Sequence, residues 1–270
     1  MLRDMLQYTF MQRALVSGIF IALSSAGLGV FLVLRRFSMI GEGLAHSAFA
    51  AVAVGLLLGI SPMLAAIPLL LLMSLWILKL GERTTMFGET AIGLVSSLSM
   101  AVGVLLASVS TGFNIDLFSY LFGSILAITR LEVWLSILLS VIVLGSLKYL
   151  YHDLFSITYD EEFAQVSGIR TGLINKILIM LTALTVVLGI RVVGTLLISS
   201  LIIFPAVTAL QVSKGFRSTL IIACCSAVIS VITGIFLSFL LNLPTGAAIV
   251  IVNFFLFTIS FIIGRAAGRS

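Results

Sequence analysis

A carboxylate and an imidazole lie four residues apart near the start of one apolar run. Glu42 and His46 belong to the segment RRFSMIGEGLAHSAFA, residues 35–50, and His46 is one of two histidines in the chain. If the run from Glu42 is helical, both side chains lie on one face, one turn apart. Oxygen and imidazole ligands at that spacing suit a first-row divalent metal ion. One copy supplies two ligands, and two copies around a twofold axis would supply the four of a tetrahedral site.

A purely structural interpretation of this pair stays open. Glu42 would then be a first-turn acid favoured by the helix dipole, and His46 would hydrogen-bond a neighbouring carbonyl group. Ionisable groups at membrane depth are costly, however, and such residues are candidates for a functional site. We therefore take Glu42 and His46 as the candidate metal ligands.

The composition places this pair in a membrane protein. The 270 residues are 61% hydrophobic and 9% charged, whereas a soluble domain carries about 25% charged residues. The apolar residues form long uncharged runs of bilayer length, which are typical of polytopic helical membrane proteins. No polar stretch is long enough to build a soluble domain. We predict an all-α fold with one transmembrane domain over residues 1–270.

The uncharged runs predict about nine transmembrane helices. Turns between them are expected at Gly59-Ile60-Ser61-Pro62, at the charged residues 79–83, at Arg191 and at Asn242-Leu243-Pro244. Residues 116–129 are too short to cross a bilayer comfortably and could lie at an interface or re-enter. The predicted spans are residues 14–34, 42–60, 63–78, 90–115, 133–147, 171–190, 192–213 and two within 218–264.

The basic residues predict the orientation of these helices. With the N-terminus outside and the C-terminus in the cytoplasm, eleven of the 15 Lys and Arg residues fall in inner segments. The net charge of +5 therefore reflects membrane topology and does not indicate nucleic-acid binding. Two adjacent cysteines, Cys224 and Cys225, lie inside an apolar run and are expected to be small buried side chains.

The longest polar stretch contains a candidate cytoplasmic coupling loop at about residues 152–170. Three acids precede an apolar pair and a glycine, which predicts a short helix over residues 160–168. Such a helix in an inner loop could dock on a cytoplasmic partner. The residues assigned to it are Asp160, Glu161, Glu162, Phe163, Ala164 and Gly168.

Two further features concern mechanism. Pro205 interrupts the seventh predicted span, where it removes a backbone donor and is expected to kink the helix in the pathway. No G-x-x-x-x-G-K-[ST] motif occurs in the sequence. The chain is therefore not expected to be an enzyme, and any ATP hydrolysis would belong to a separate subunit.

Six segments carry motifs that together are specific: FMQRALVSGIF (10–20), RRFSMIGEGLAHSAFAAVAVG (35–55), ETAIGLV (89–95), YLFGSILAI (120–128), YDEEFAQVSGI (159–169) and GTLLISSLIIFPAVTA (194–209). In order and spacing they resemble the zinc and manganese uptake permeases of the ABC transporter superfamily, the ABC-3 type of metal permease. The resemblance covers nearly the whole chain.

The resemblance implies a homodimeric permease in the cytoplasmic membrane of a prokaryotic cell. Its implied partners are a separate ABC ATPase, which uses the ATP, and an extracytoplasmic metal-binding protein. The implied cargo is Zn²⁺ or Mn²⁺, with no permanently bound cofactor. The implied fold is related to that of the vitamin B12 and iron-siderophore permeases.

The resemblance also carries over to individual residues. The family's second-span motif usually reads G-D-x-L-x-H, which Gly41, Leu44 and His46 match, while Glu42 replaces the aspartate. The longer side chain keeps the charge and moves the carboxylate by about one methylene. The family's coupling helix, commonly D-P-E-x-A, corresponds to Asp160, Glu162 and Ala164, with Glu161 at the proline position.

Two alternative functions remain at this point. A permease of the same fold could carry an iron chelate or a vitamin, although a bulky ligand calls for a wide pocket and not a close pair of ligands. An ion-coupled secondary carrier would need no ATPase, but it is expected to hold acids near the middle of several spans. Apart from Glu42, the predicted spans hold none. Zinc, manganese and iron all suit one carboxylate and one histidine per copy.

Overall fold

The described part of the chain consists of helices joined by short turns. A computed structural model describes residues 7–83, 88–109, 121–124, 128–195 and 197–266. Its helices are α1 (Thr9–Leu34), α2 (Ile40–Leu57), α3 (Pro62–Arg83), α4 (Gly88–Val109), α5 (Arg130–Tyr149), α6 (Tyr151–Tyr159), α7 (Glu161–Val166), α8 (Thr171–Val193), α9 (Ile198–Val212), α10 (Phe216–Leu241) and α11 (Thr245–Ala266). The prediction of an all-α fold is confirmed.

Eight of these helices are long and apolar enough to cross a membrane, judged by length and composition within the described residues. The remaining predicted span, residues 192–213, corresponds to α9, which is apolar but has only 15 residues. The prediction of about nine membrane helices is therefore confirmed as an approximation. Much of the short segment predicted at residues 116–129 lies outside the described residues. Within it, residues 121–124 pack on the end of α8, where the Ser124 amide donates to the Arg191 carbonyl at 3.2 Å.

The turns predicted from helix-breaking residues are where the sequence places them. Helix α2 ends at Leu57, and α3 begins at Pro62, which occupies the first helical position where a missing amide costs nothing. Helix α10 ends at Asn242, whose left-handed backbone (φ 52°) closes the last turn. Pro244 then follows, immediately before α11 begins.

Two predicted boundaries are wrong. Arg191 does not form a turn: α8 continues to Val193 and ends at Gly194, whose φ of 92° favours glycine. The span that follows is correspondingly shorter than residues 192–213. Residues 79–83 are not a loop either, because α3 runs to Arg83. Charged side chains at a membrane helix end can reach the interface while the backbone stays helical.

The helices form a buried centre and a more exposed periphery. The apolar windows of α1, α2 and α8 are 67–72% buried, while those of α3, α4, α5, α10 and α11 are 22–33% buried. The exposed outer faces carry large apolar side chains such as Leu105, Val141 and Phe255, as lipid contact requires. Cys225 on α10 is also exposed, so its prediction as a buried side chain is wrong.

The centre of the protein contains one very close contact between two helices, α1 and α9. At Gly29 of α1, an added Cβ would collide with the backbone carbonyl oxygen of Ile202 in α9. Only a residue without a side chain lets the two helices come this close, which is the usual role of small residues in membrane helix packing. Gly145 of α5, by contrast, has no other atom within 4 Å of such a Cβ.

Gly29→Ala should therefore destabilise the protein by about 1–3 kcal/mol, the usual cost of overpacking. Gly145→Ala serves as the matched control and should leave stability unchanged or slightly raised, since alanine is the better helix former. Thermal unfolding of the purified protein in detergent measures both. Equal midpoints for the two variants would contradict the close approach of α1 and α9.

Candidate metal centre

Helix α2 is buried on all sides except along one narrow stripe. From Ile40 to Gly55 every residue is buried apart from Glu42, His46, Ala50 and Val54. These four residues are spaced four apart and therefore lie on one face of the helix. We call this face the α2 stripe. Its only polar members are the two residues that the sequence singles out as metal ligands.

The geometry of the pair is open enough to admit a ligand. The Nε2 atom of His46 lies 3.8 Å from the Oε1 atom of Glu42, and their side chains are 23% and 46% exposed. At that distance the two groups are adjacent without a direct hydrogen bond. Within the described residues no third His, Cys, Asp or Glu joins them to form a metal cluster. One chain thus contributes two ligand groups at this place.

The turn before α2 determines where the pair sits. After α1 the chain reverses at Arg36, which has a positive φ of 59°, and the Phe37 amide donates to the Leu32 carbonyl at 2.8 Å. This places Glu42 in the first turn of α2, where the helix dipole favours an acid. The favourable interaction of Glu42 with the helix dipole, which the structural interpretation assumes, is therefore present. This interaction is also compatible with metal binding.

Small residues hold α2 firmly against α4. Gly43 faces Ile92 so closely that a Cβ would lie 2.6 Å from its Cγ2 atom. The hydroxyl groups of Ser47 and Ser99 hydrogen-bond at 3.0 Å in the same contact. The Glu42 and His46 side chains consequently project from a backbone with little freedom to move, as a defined ligand geometry requires.

The polar stretch after α5 folds into two short helices. Asp160 caps the start of α7, because its Oδ1 atom accepts a hydrogen bond from the Phe163 amide at 2.9 Å, and Gly168 with φ 87° follows the end of the helix. The short helix predicted over residues 160–168 is therefore present. Helix α6, which precedes it, was not predicted, because its residues YHDLFSITY mix polar and apolar types without a clear period.

Helix α7 presents an apolar surface and hides its alanine. Phe163 and Val166 are 68% and 89% exposed, while Ala164 is fully buried. Tyr159, just before α7, is 88% exposed. We call Tyr159, Phe163 and Val166 the α7 face. Three large apolar side chains on one exposed polar segment are typical of a protein-binding surface, whereas Ala164 acts by packing α7 onto the rest of the chain.

A polar triangle connects α7 to the turn before α2. The Arg35 guanidinium donates to Glu161 Oε2 at 3.0 Å and to Asn175 Oδ1 at 2.6 Å, and Asn175 Nδ2 donates to Glu161 Oε1 at 2.8 Å. The Arg35 side chain is only 5% exposed. Burial lowers the pKa of its guanidinium, and the charge and hydrogen bond of Glu161 oppose that change.

The sequence alone does not reveal this triangle, because Arg35 lies 126 and 140 residues from its two partners. Near its other end α8 is tied by a second ion pair, in which Arg191 Nε contacts Glu132 Oε1 at 2.9 Å. Glu132 also caps the start of α5 through Thr129. Pro205, in turn, is buried inside α9, and its predicted place in the pathway stays a prediction.

Comparison with known proteins shows that the chain is similar to membrane transport proteins. Residues 7–264 match the sequence profile of the family described as the ABC 3 transport family. The zinc uptake membrane protein ZnuB of Haemophilus influenzae is 35% identical over 247 residues, which cover 92% of this chain and 95% of that protein. The manganese transport membrane protein MntC of Listeria monocytogenes is 28% identical over 267 residues, covering 99% and 95%.

A solved structure has the same fold. PsaBC from Streptococcus pneumoniae, determined in complex with a Fab, contains a chain that superposes with a TM-score of 0.86 at 27% identity. The superposition covers 96% of this chain and 94% of that one. The resemblance inferred from the six motifs is confirmed.

The triangle predicts how firmly α7 is held. Glu161→Gln removes the charge that Arg35 faces and should lower the free energy of local opening by about 1 kcal/mol, since the carboxylate is half exposed. The amides of α7 should then exchange hydrogen about fivefold faster in a mass-spectrometric experiment. Glu162→Gln, a change at the exposed neighbouring acid, is the control. Equal exchange in both variants would contradict the role of the triangle.

Proposed function

The chain belongs to the ABC 3 transport family, and from this premise we propose that it is the permease subunit of an ATP-driven importer of a divalent transition-metal ion. Zinc is the favoured cargo and manganese the next. The observation that carries the proposal is the α2 stripe, because its only polar residues are a carboxylate and an imidazole 3.8 Å apart on an otherwise buried helix.

The number of ligands favours a homodimer. Glu42 and His46 give two ligand groups per chain, and a tetrahedral zinc site takes four. A twofold axis beside the α2 stripe would bring two carboxylates and two imidazoles to one ion. The exposure of both side chains in a single chain supports this arrangement, since an incomplete site must face its missing half.

Helix α7 provides the contact to the ATPase. We assign the α7 face to docking on a separate ABC ATPase subunit, with Asp160, Glu161, Glu162 and Gly168 shaping the helix. The same side of the protein is then cytoplasmic, which puts the N-terminus outside and the C-terminus inside. The α2 stripe runs from this side toward the outer surface, where a metal-binding protein would deliver the ion.

The triangle suggests how ATP hydrolysis in the partner subunit is coupled to movement at the proposed metal site. Movement of α7 on the ATPase would pull on Arg35 through Glu161, and Arg35 begins the turn that leads into Glu42. Alternating access then requires the two copies of α2 to shift relative to each other, which opens the shared site to one side at a time.

The alternative functions fit the described residues less well. A metal chelate or vitamin would need a wide pocket, and the close pair of Glu42 and His46 suits a bare ion better. A secondary carrier would need further acids inside the spans. On the described membrane helices, the acids other than Glu42 lie at helix ends. Glu82 is near the end of α3, and Glu89 and Glu132 are in the first turns of α4 and α5. Arg191 already pairs with Glu132.

His46→Ala should reduce metal uptake by at least about 10- to 100-fold, because the loss of a residue that only hydrogen-bonds a metal ligand already costs that much. Glu42→Gln should be nearly as harmful, since it keeps the shape and removes the charge that offsets the ion. Glu42→Asp restores the usual family residue and should retain transport, with altered preference between zinc and manganese. Uptake of radiolabelled zinc and manganese by vesicles holding the complete complex measures all three.

The control for these variants is His152→Ala, a change at the other histidine, which is exposed on α6. It should transport at the parental rate. If His46→Ala and Glu42→Gln also transport at that rate with intact ATPase activity, the two residues are structural and the proposal is wrong.

Phe163→Ser should uncouple the complex, because a large aromatic side chain at the centre of a small interface commonly supplies 2 kcal/mol or more. ATPase binding should weaken at least about tenfold while the permease stays folded, since Phe163 is exposed. Tyr149→Ser, which changes another exposed aromatic residue, is the control. Unchanged ATPase binding and uptake in Phe163→Ser would contradict the docking role of α7.

A further inference from the structure

A second concave site lies on the flank of the protein, away from the α2 stripe. It is a cavity of about 780 Å³ between α5 and α10, closed at its back by α1 and at one end by the start of α6. None of its lining residues belongs to α2 or α4. The cavity is therefore separate from the proposed metal path.

The two ends of this cavity differ in polarity. At one end Lys148, His152 and Arg217 line it, and no carboxylate is among the lining residues. Toward the other end the wall consists of apolar side chains and the two cysteines of α10. Arg217 and Cys225 are eight residues apart on that helix, so the cavity extends about 12 Å along it.

The position of the cavity relative to the bilayer follows from its helices. Both α5 and α10 are candidate membrane spans, and Lys148 and Arg217 lie at the ends of these helices that adjoin α6. The neighbouring Val141 and Ile221 are 61% and 64% exposed, as expected for side chains that face hydrocarbon. The cavity thus opens sideways toward lipid, with its cations at the interface.

We propose that this cavity binds one anionic phospholipid. The phosphate lies against Lys148 and Arg217, and an acyl chain follows α10 past Ile221 toward Cys225. Basic pockets between membrane helices on the cytoplasmic side are suited to anionic head groups, and the apolar remainder of the cavity matches the chain of the same molecule. A zwitterionic lipid carries no net charge to balance the two cations.

The bound lipid would stabilise the connection to α7. Tyr151, which also lines the cavity, packs edge-on against Phe216 with ring centroids 5.7 Å apart, and Phe155 contacts the same ring at 5.1 Å. These contacts attach α6 to the start of α10. A lipid that fills the space beside them holds α6 in place, and α6 leads directly into α7.

The test compares lipid retention by the intact protein. The wild type and a Lys148→Gln/Arg217→Gln variant are purified from bilayers of mixed phosphatidylglycerol and phosphatidylcholine, and the retained lipids are counted by native mass spectrometry. The wild type should keep one phosphatidylglycerol. The variant should bind it roughly thirtyfold more weakly, as the loss of two phosphate-binding cations predicts.

The matched control is Lys79→Gln/Arg265→Gln, which removes one exposed lysine and one exposed arginine outside the cavity. It lowers the net charge equally and should retain the lipid. Equal retention in both double variants, or equal retention of phosphatidylcholine, would overturn the proposal.

A second measurement leaves Lys148 and Arg217 unchanged. Cys225 is exposed on the cavity wall, so a maleimide should label it several times more slowly in phosphatidylglycerol bilayers than in phosphatidylcholine. A Cys224→Ala background assigns the label to Cys225. Identical labelling in both bilayers would overturn the proposal, including the case in which a second copy of the chain covers the cavity. Neither result bears on the metal site, which shares no residue with the cavity.

Discussion

The cost of holding a carboxylate and an imidazole inside a membrane protein is the constraint on which the rest of the structure depends. Glu42 and His46 are the polar residues of the α2 stripe, on a helix whose other residues from Ile40 to Gly55 are buried apart from Ala50 and Val54, and charged groups without partners are expensive in such surroundings. The described part of the chain offers them no further metal-ligating neighbour. A cation shared with a second copy would neutralise both carboxylates and complete the site. The ion would therefore stabilise the dimer during transport, in addition to being the cargo.

The remaining helices can be understood as the support for that pair. Gly29 lets α1 approach α9, and Gly43 and Ser47 hold α2 on α4, so Glu42 and His46 project from a rigid surface. Rigidity alone would not allow transport, because the site must open to each side in turn. The triangle of Arg35, Glu161 and Asn175 supplies the one described polar connection between α7 and the turn that leads into α2. A partner that moves α7 would act on Glu42 and His46 through this short connection.

The sequence predicts best those features that depend on a single residue's own backbone or charge. Proline, glycine and asparagine mark the turns at residues 59–62 and 242–244 correctly, because each restricts or permits particular backbone angles. The turn predicted at Arg191 is wrong because a lone arginine in an apolar run is ambiguous. It can mark a turn, or it can stay helical and pair with a distant acid, as it does with Glu132. The burial of Ala164 and the contacts of Arg35 depend on residues far apart in the chain. No local pattern encodes them, and they became visible only in the folded structure.

The central claim is that two copies of the chain share one metal ion through Glu42 and His46. X-ray absorption spectroscopy of zinc bound to the complete permease and ATPase complex, with His152 changed to alanine, tests it most directly. The account predicts one zinc per two permease chains, with two imidazole nitrogens at about 2.0–2.1 Å and oxygen ligands completing a tetrahedron. With His152 changed, His46 is the one histidine left in each permease chain, so the permease can supply imidazole nitrogens only through it. A spectrum without imidazole, or one zinc per chain, would contradict the account.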